Sequence, residues 1–239
     1  MSELIVPPGR ATGCLPRVTK VGECCPVFGE KIKVVPAGEW SDWIGEIERR
    51  PHVHKIKDQG GVGSCATQSV SQAVEIVRSV QGNKFEELNP LSIYRITSGG
   101  RDRGSNIDTN LKHVRDVGIL PESYFPHDNR NWKASPPSGW EEVAKNYRID
   151  EFFDITTTEE VGSALLIGFP VCFGWEGHSC VLLELLNETE ALYANSWGTG
   201  WGDAGFGTIK LSQINFSYGA FAVRTSTQAD DAVPLPEVP

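Results

Sequence analysis

Lys57-Asp58-Gln59-Gly60-Gly61-Val62-Gly63-Ser64-Cys65-Ala66 decides how this chain is read. Its glycines make a tight turn that ends on a cysteine. Beyond it, Val70, Ala73, Val74, Val77 and Val80 recur at helical spacing as far as Gln81-Gly82. The spacing predicts a helix that begins at Cys65, with Ser64 as N-cap and Gly82 as the stop. A thiol in a first helical turn feels the positive end of the helix dipole and unpaired backbone N–H groups, and both favour the thiolate. The alternative for Cys65 is a small core side chain, a place cysteine often takes.

A second stretch separates the two. His178-Ser179-Cys180-Val181-Leu182-Leu183 starts an apolar run, and Ala191-Leu192-Tyr193-Ala194-Asn195-Ser196-Trp197-Gly198 follows it. A thiol nucleophile needs an imidazole to take its proton and a third group to hold the imidazole. His178 and Asn195 fall on successive expected strands and so can be neighbours in space.

With Gln59, Gly63-Ser64-Cys65, His178, Asn195-Ser196-Trp197-Gly198 and Gly205-Phe206-Gly207 in this order, the chain resembles the papain-like cysteine peptidases from about Val35 to Arg224. The resemblance implies an α+β fold of two lobes, an N-terminal helical lobe (about 50–118) and a C-terminal antiparallel β lobe (about 119–225), with a cleft between them. It implies Cys65 as nucleophile, His178 as base and then acid, and Asn195 as the group that orients the imidazole. Gln59 and the Cys65 backbone N–H would hold an oxyanion, and Trp197 would cover the Asn–His contact. Gly63, Ser64, Gly177 and Trp197 would line the substrate site, and Ser98-Gly99-Gly100 looks like the family's paired-glycine substrate strand. The plain alternatives are core packing for Trp197 and a simple turn for Gly99 and Gly100.

Three positions depart from the family's pattern. Ala66 stands where a bulky aromatic usually follows the nucleophile. Arg101-Asp102 follows the paired glycines where an aromatic or apolar wall is usual, and with Glu176 it suggests a pocket that takes polar or basic residues alongside the usual apolar ones. Only Gly174-Trp175-Glu176-Gly177 separates Cys172-Phe173 from His178, so one side of the cleft is expected to be open.

The composition narrows the class. A chain of 239 residues with 39% apolar and 22% charged residues can bury a core as one unit or as two small lobes. A net charge of −9 argues against a nucleic-acid or anionic-membrane surface. No apolar run approaches the roughly 18 residues of a membrane span, and the N-terminus lacks the pattern of a secretory signal. There are six cysteines: Cys14, Cys24, Cys25, Cys65, Cys172 and Cys180. Secreted members of the resembled family pair two half-cystines at places that here hold Val62 and Thr97. Their joint loss fits a reducing, cytoplasmic setting.

Residues 1–33 read as an irregular arm rich in Pro, Gly and Cys, 34–225 as the peptidase-like domain, and 226–239 as a disordered tail. At ~3.3 Å per residue the arm can span on the order of 100 Å, enough to cross the cleft. Its alternative is to pack along the back of the β lobe. Cys24-Cys25 with His52 and His54 matches no ordinary zinc spacing, and no metal or cofactor is expected. Thr157 to Glu160 reads as a capping box. The function expected is hydrolysis of peptide bonds through a thioacyl intermediate by a monomer, as an endopeptidase. An exopeptidase or aminopeptidase of the same fold and a catalytically silent binding module are the alternatives. The partner is a polypeptide, with no nucleic acid and no membrane.

Overall fold

The computed structural model of the protein describes residues 4–227. In chain order its elements are β1 (Cys14–Leu15), α1 (Phe28–Lys31), α2 (Cys65–Val80), α3 (Leu91–Thr97), β2 (Ser105–Asn106) and α4 (Ile107–Asp116). There follow α5 (Trp140–Ala144), β3 (Ile149–Ile155), α6 (Thr158–Leu166), β4 (Val171–Trp175), β5 (His178–Leu185), β6 (Glu190–Ala194), β7 (Phe206–Lys210) and β8 (Ala220–Ser226). The fold is the expected α+β one: helices α2 to α4 come first, and an antiparallel sheet of order β3-β8-β4-β5-β6-β7 follows.

Helix α2 is buried almost all round. Val70, Ala73, Val74 and Val77 pack with Val181, Leu183, Phe221 and Val223 of the sheet, which removes both surfaces from water. Its polar face is buried too, so those side chains must find partners. Glu75 accepts from Lys57 Nζ at 2.5 Å, from Leu88 N–H at 2.6 Å and from Gln72 Nε2 at 3.1 Å. Ser64 holds the N-cap position, but its hydroxyl takes Gln68 Nε2 at 3.1 Å and makes no capping bond. Gly82, at φ 79°, ends the helix as expected.

A second core lies on the sheet's other face, where Phe28, Trp40, Phe153, Leu165, Phe173 and Tyr193 meet. Helix α6 covers it and carries the expected capping box of Thr157 and Glu160. Two expectations need correction. The arm is not irregular throughout: it contains β1 and α1, and Phe28 is fully buried. Strand β3 was not foreseen, because Asp150, Glu151 and Asp154 interrupt its apolar pattern. Asp154 is nonetheless buried, satisfied by Arg17. The tail expected from residue 226 lies outside the described residues from 228 onward. Ser226 ends β8, and Thr227 N–H donates to the Arg148 carbonyl.

Candidate active site

Strands β4 and β5 are joined by the two-residue turn Glu176-Gly177, both at positive φ (47° and 77°), so Trp175 pairs with His178. Such turns match the twist of paired strands. This one starts β5 on His178 and leaves the Gly177 carbonyl facing the cleft. Asn195 follows β6, the next strand in the sheet. Its Oδ1 accepts from Ser196 N–H at 2.7 Å and from His178 Nε2 at 2.8 Å. The Ser196 contact marks that atom as the oxygen, so Nε2 carries the imidazole proton. His178 Nδ1 is buried without a hydrogen-bond partner, its lone pair free to take a proton. Trp197 lies over the imidazole, ring centroids 4.4 Å apart and 24° between planes.

Cys65 is fully buried in the first turn of α2. Burial pushes its thiol up to about 12, against the pull of N–H groups from Ser179, Ala66 and Gly13. The Ser179 contact places the thiol beside the residue that follows His178. Burial also lowers His178 to about 4, opposed by the bond to Asn195. Both shifts favour the neutral thiol and imidazole over the charged pair that a helix-start cysteine suggests. Desolvation outweighs the helix dipole.

Gln59 is held at both ends. Its N–H donates to the Ser196 carbonyl at 2.9 Å, and its Oε1 accepts from Ser196 Oγ at 2.6 Å. Nε2 then points at the Val62 carbonyl (2.8 Å) and at the Ala11 carbonyl (3.1 Å). Ala11 belongs to the N-terminal arm, which the sequence alone left free to go elsewhere. Its carbonyl also takes Trp197 Nε1 at 3.1 Å, and its N–H donates to the Gly60 carbonyl at 3.2 Å. Gly13 N–H and Cys14 N–H both donate to the Gly177 carbonyl, at 3.0 and 2.8 Å. Ser105 N–H donates to the Gly13 carbonyl at 2.9 Å, and β1 pairs in parallel with β2. The arm thus runs between the lobes and over Cys65. The fit is tight enough that a Cβ on Gly13 would lie 2.1 Å from the Gly63 carbonyl oxygen.

Beyond the cleft, Arg17 bonds both oxygens of Asp154, at 2.9 and 2.6 Å. Asp108 Oδ2 accepts from Val18 N–H, Thr19 N–H and Thr19 Oγ1 at 2.8–2.9 Å.

Gln59, Gly63, Cys65, Gly177, His178, Asn195 and Trp197 are brought together. Ser64 is buried behind the cleft. Gly99 and Gly100 are not brought in: they follow α3 at φ 64° and 72° with open space around them. The backbone that meets the arm opposite Gly63 is Gly104-Ser105, two residues before α4: Ser105 N–H donates to the Gly13 carbonyl, and a Cβ on Gly104 would lie 2.3 Å from that same oxygen. Two of the expected pocket charges are engaged by backbone donors. Asp102 Oδ1 accepts from Gly63 N–H (2.8 Å) and Tyr94 OH (2.6 Å), and Glu176 accepts from Leu4 N–H at 2.7 Å. All six cysteines are free thiols. Among the described residues, no group of three or more His, Cys, Asp or Glu is placed to hold a metal, and no helix is long and apolar enough to cross a membrane.

No family model matches the chain. An uncharacterized peptidase C1-like protein of Acanthamoeba polyphaga mimivirus is 28% identical over 68% of this chain and 66% of its own length. A cathepsin L of Paramecium tetraurelia is 23% identical over 70% and 57%. The chain thus spans 66% or less of the length of these relatives. Among solved structures, xylellain, a cysteine protease from Xylella fastidiosa, matches with a TM-score of 0.71 over 94% of this chain and 99% of its own, at 17% identity. Digestive procathepsin L 3 of Tenebrio molitor matches with a TM-score of 0.66 over 92% and 76%, also at 17% identity. By fold and by sequence similarity, this chain is a relative of the papain-like cysteine peptidases.

Proposed function

We propose that the chain is a thiol-dependent peptidase held latent by its own N-terminal arm. The observation that carries this is the joint placement of Cys65, His178, Asn195 and Gln59 with the arm threaded through them. With the arm out, His178 Nδ1 takes the Cys65 proton and Sγ attacks a peptide carbonyl. Gln59 Nε2 and the Cys65 N–H receive the oxyanion. The imidazolium then protonates the leaving amine, and water hydrolyses the thioacyl enzyme. With the arm in, the Ala11 carbonyl occupies Gln59 Nε2. What meets the thiol is the Gly13 N–H, while the Gly13 carbonyl is turned to Ser105. The arm therefore blocks the site without offering itself for cleavage.

Endopeptidase action is favoured, because the arm is bound both before and after the stretch over Cys65: Arg10 pairs with Asp58, and Arg17 N–H donates to the Ser217 carbonyl at 2.9 Å. A polypeptide can follow the same path. An open groove of about 810 Å³ beside the hairpin, lined by Trp175, Glu176, Lys210, Ile214 and Phe216, leaves further room. The test compares the full chain with one starting at Val34 on end-blocked and free-ended peptides, with Cys65→Ala as control. Higher turnover of blocked peptides by the shorter, folded chain is expected. Equal turnover removes the latency reading, and none in either chain removes the peptidase reading.

A further inference from the structure

Cys24 and Cys25 take no part in the chemistry above, yet their sulfurs lie 3.7 Å apart. They sit in the turn that ties the cleft-crossing part of the arm to its buried anchor, Phe28. On one side of them, Thr19 Oγ1 lies 3.7 Å from Cys24 Sγ and 2.8 Å from Asp108 Oδ2. On the other, Asp154 N–H donates to the Pro26 carbonyl at 2.9 Å, and Gly22 N–H donates to Asp154 at 3.0 Å. The Cys24 carbonyl accepts from Arg115 Nη1 at 2.5 Å. Cys24 and Cys25 are themselves buried, at 8% and 7% exposure, but the turn lies at the surface, with Val18 and Val21 69% and 56% exposed, so a small reagent reaches the pair when the turn opens locally. The Cys25 thiol lies against the Cys24 sulfur and the Thr19 hydroxyl donates towards it, and these contacts hold Cys24 below an ordinary thiol, which favours the thiolate that attacks disulfides.

We propose that Cys24 and Cys25 are a redox-modifiable dithiol, which a small disulfide of the glutathione class closes into a Cys24–Cys25 bond that loosens the arm. The Cys24 thiolate attacks one sulfur of the small disulfide and expels one thiolate, leaving a mixed disulfide. Cys25 then loses its proton and attacks the Cys24 sulfur, and the second small thiol leaves. Two electrons pass from the cysteine pair to the small disulfide, and two protons end on the released thiols.

Closing the bond brings the sulfurs from 3.7 Å to about 2.0 Å. Adjacent Cα atoms are only about 3.8 Å apart, shorter than the usual disulfide span, so the peptide unit between them must twist. That twist turns the Cys24 carbonyl away from Arg115 and takes the sulfur from Thr19, a residue that holds the arm on Asp108. Strain of this kind makes a disulfide easily reduced, the property of a reversible modification.

The loosening half of the proposal rests on the latency reading, but the dithiol half does not. The test uses full-length Cys65→Ala protein treated with glutathione disulfide and read in two ways. Tryptic peptide 21–31, which carries both cysteines, is weighed, and amide exchange is followed at Gly13 and Cys14. The expected result is a peptide lighter by two hydrogens and exchange at both amides faster by at least about tenfold, reversed by dithiothreitol. A peptide that stays reduced, or that keeps one glutathione, overturns the dithiol. A closed bond with unchanged exchange overturns the loosening. The same acceleration in Cys24→Ser/Cys65→Ala protein assigns the effect to another thiol and overturns the loosening. Failure of the latency reading is seen separately, as equal activity of the full chain and the chain starting at Val34.

Discussion

Gly13→Ala asks whether the arm is the lock. A Cβ there would lie 2.1, 2.6 and 2.8 Å from the O, C and Cα of Gly63, where real Cβ contacts stay beyond 3.0 Å. These are backbone atoms, so no rotamer change relieves the overlap. Overpacking of this kind costs about 1–3 kcal/mol. Shifting the arm also weakens the bonds Gly13 makes to Gly177 and Ser105, each worth about 1 kcal/mol net. A combined loss of about 2–3 kcal/mol moves the balance between seated and unseated arm by about 30- to 160-fold. Gly13 is not at positive φ, and it takes no part in the chemistry, so the substitution leaves the catalytic groups alone. The assay is initial turnover of an end-blocked fluorogenic peptide per alkylatable Cys65, with the chain starting at Val34 as the ceiling. Turnover should rise towards that ceiling. A Gly13→Ala protein as slow as wild type, beside a fast truncated chain, would refute the argument that the close approach to Gly63 seats the arm.

Gln59→Ala in a Gly13→Ala background should lower turnover by about 10²-fold with folding intact, since one preorganised oxyanion donor is lost; circular dichroism and active-site counts check this. In the covered state His178 lies below its ordinary 6.5, at about 4, so covering favours the neutral ring. That stabilisation is full above about pH 6.5 and is lost as pH falls towards 4. The full chain should therefore gain activity relative to the chain starting at Val34 across that window, and a constant ratio would count against it. Arg17→Ala leaves the fully buried Asp154 without its cation. It should cost about 3–5 kcal/mol of stability, read from urea unfolding, and should raise the basal activity.

The parts of the fold visible in the sequence are those where one local pattern settles the structure. The valines of α2, the Thr157–Glu160 cap and the apolar runs of β4 to β8 belong to this class, and so do Cys65, His178 and Asn195. What stayed hidden depends on long-range partners. Asp154 looks like a surface acid until Arg17, 137 positions earlier, neutralises it. Gly99-Gly100 stands out as a glycine pair, whereas Gly104-Ser105 holds one glycine and is marked only by its contact with Gly13. A helix start favours the Cys65 thiolate in an open site, but Cys65 lies fully buried with Gly13 over it, and no periodicity reveals the path of Gly13.

The arm is covalently part of the molecule it blocks, which gives it a fixed effective concentration. For a short flexible connection that figure is in the millimolar range, whatever the protein concentration. Dilution therefore cannot relieve the block, as it would for a separate inhibitor. On the latency reading proposed above, a peptide substrate has to compete against that millimolar presence, so the arm raises the apparent KM and leaves the turnover of an occupied site unchanged. Short peptides at micromolar levels would find the protein almost silent. Long chains that engage both halves of the cleft could open it for themselves, and the preference for long substrates would then come from the tether, with no pocket needed to measure length.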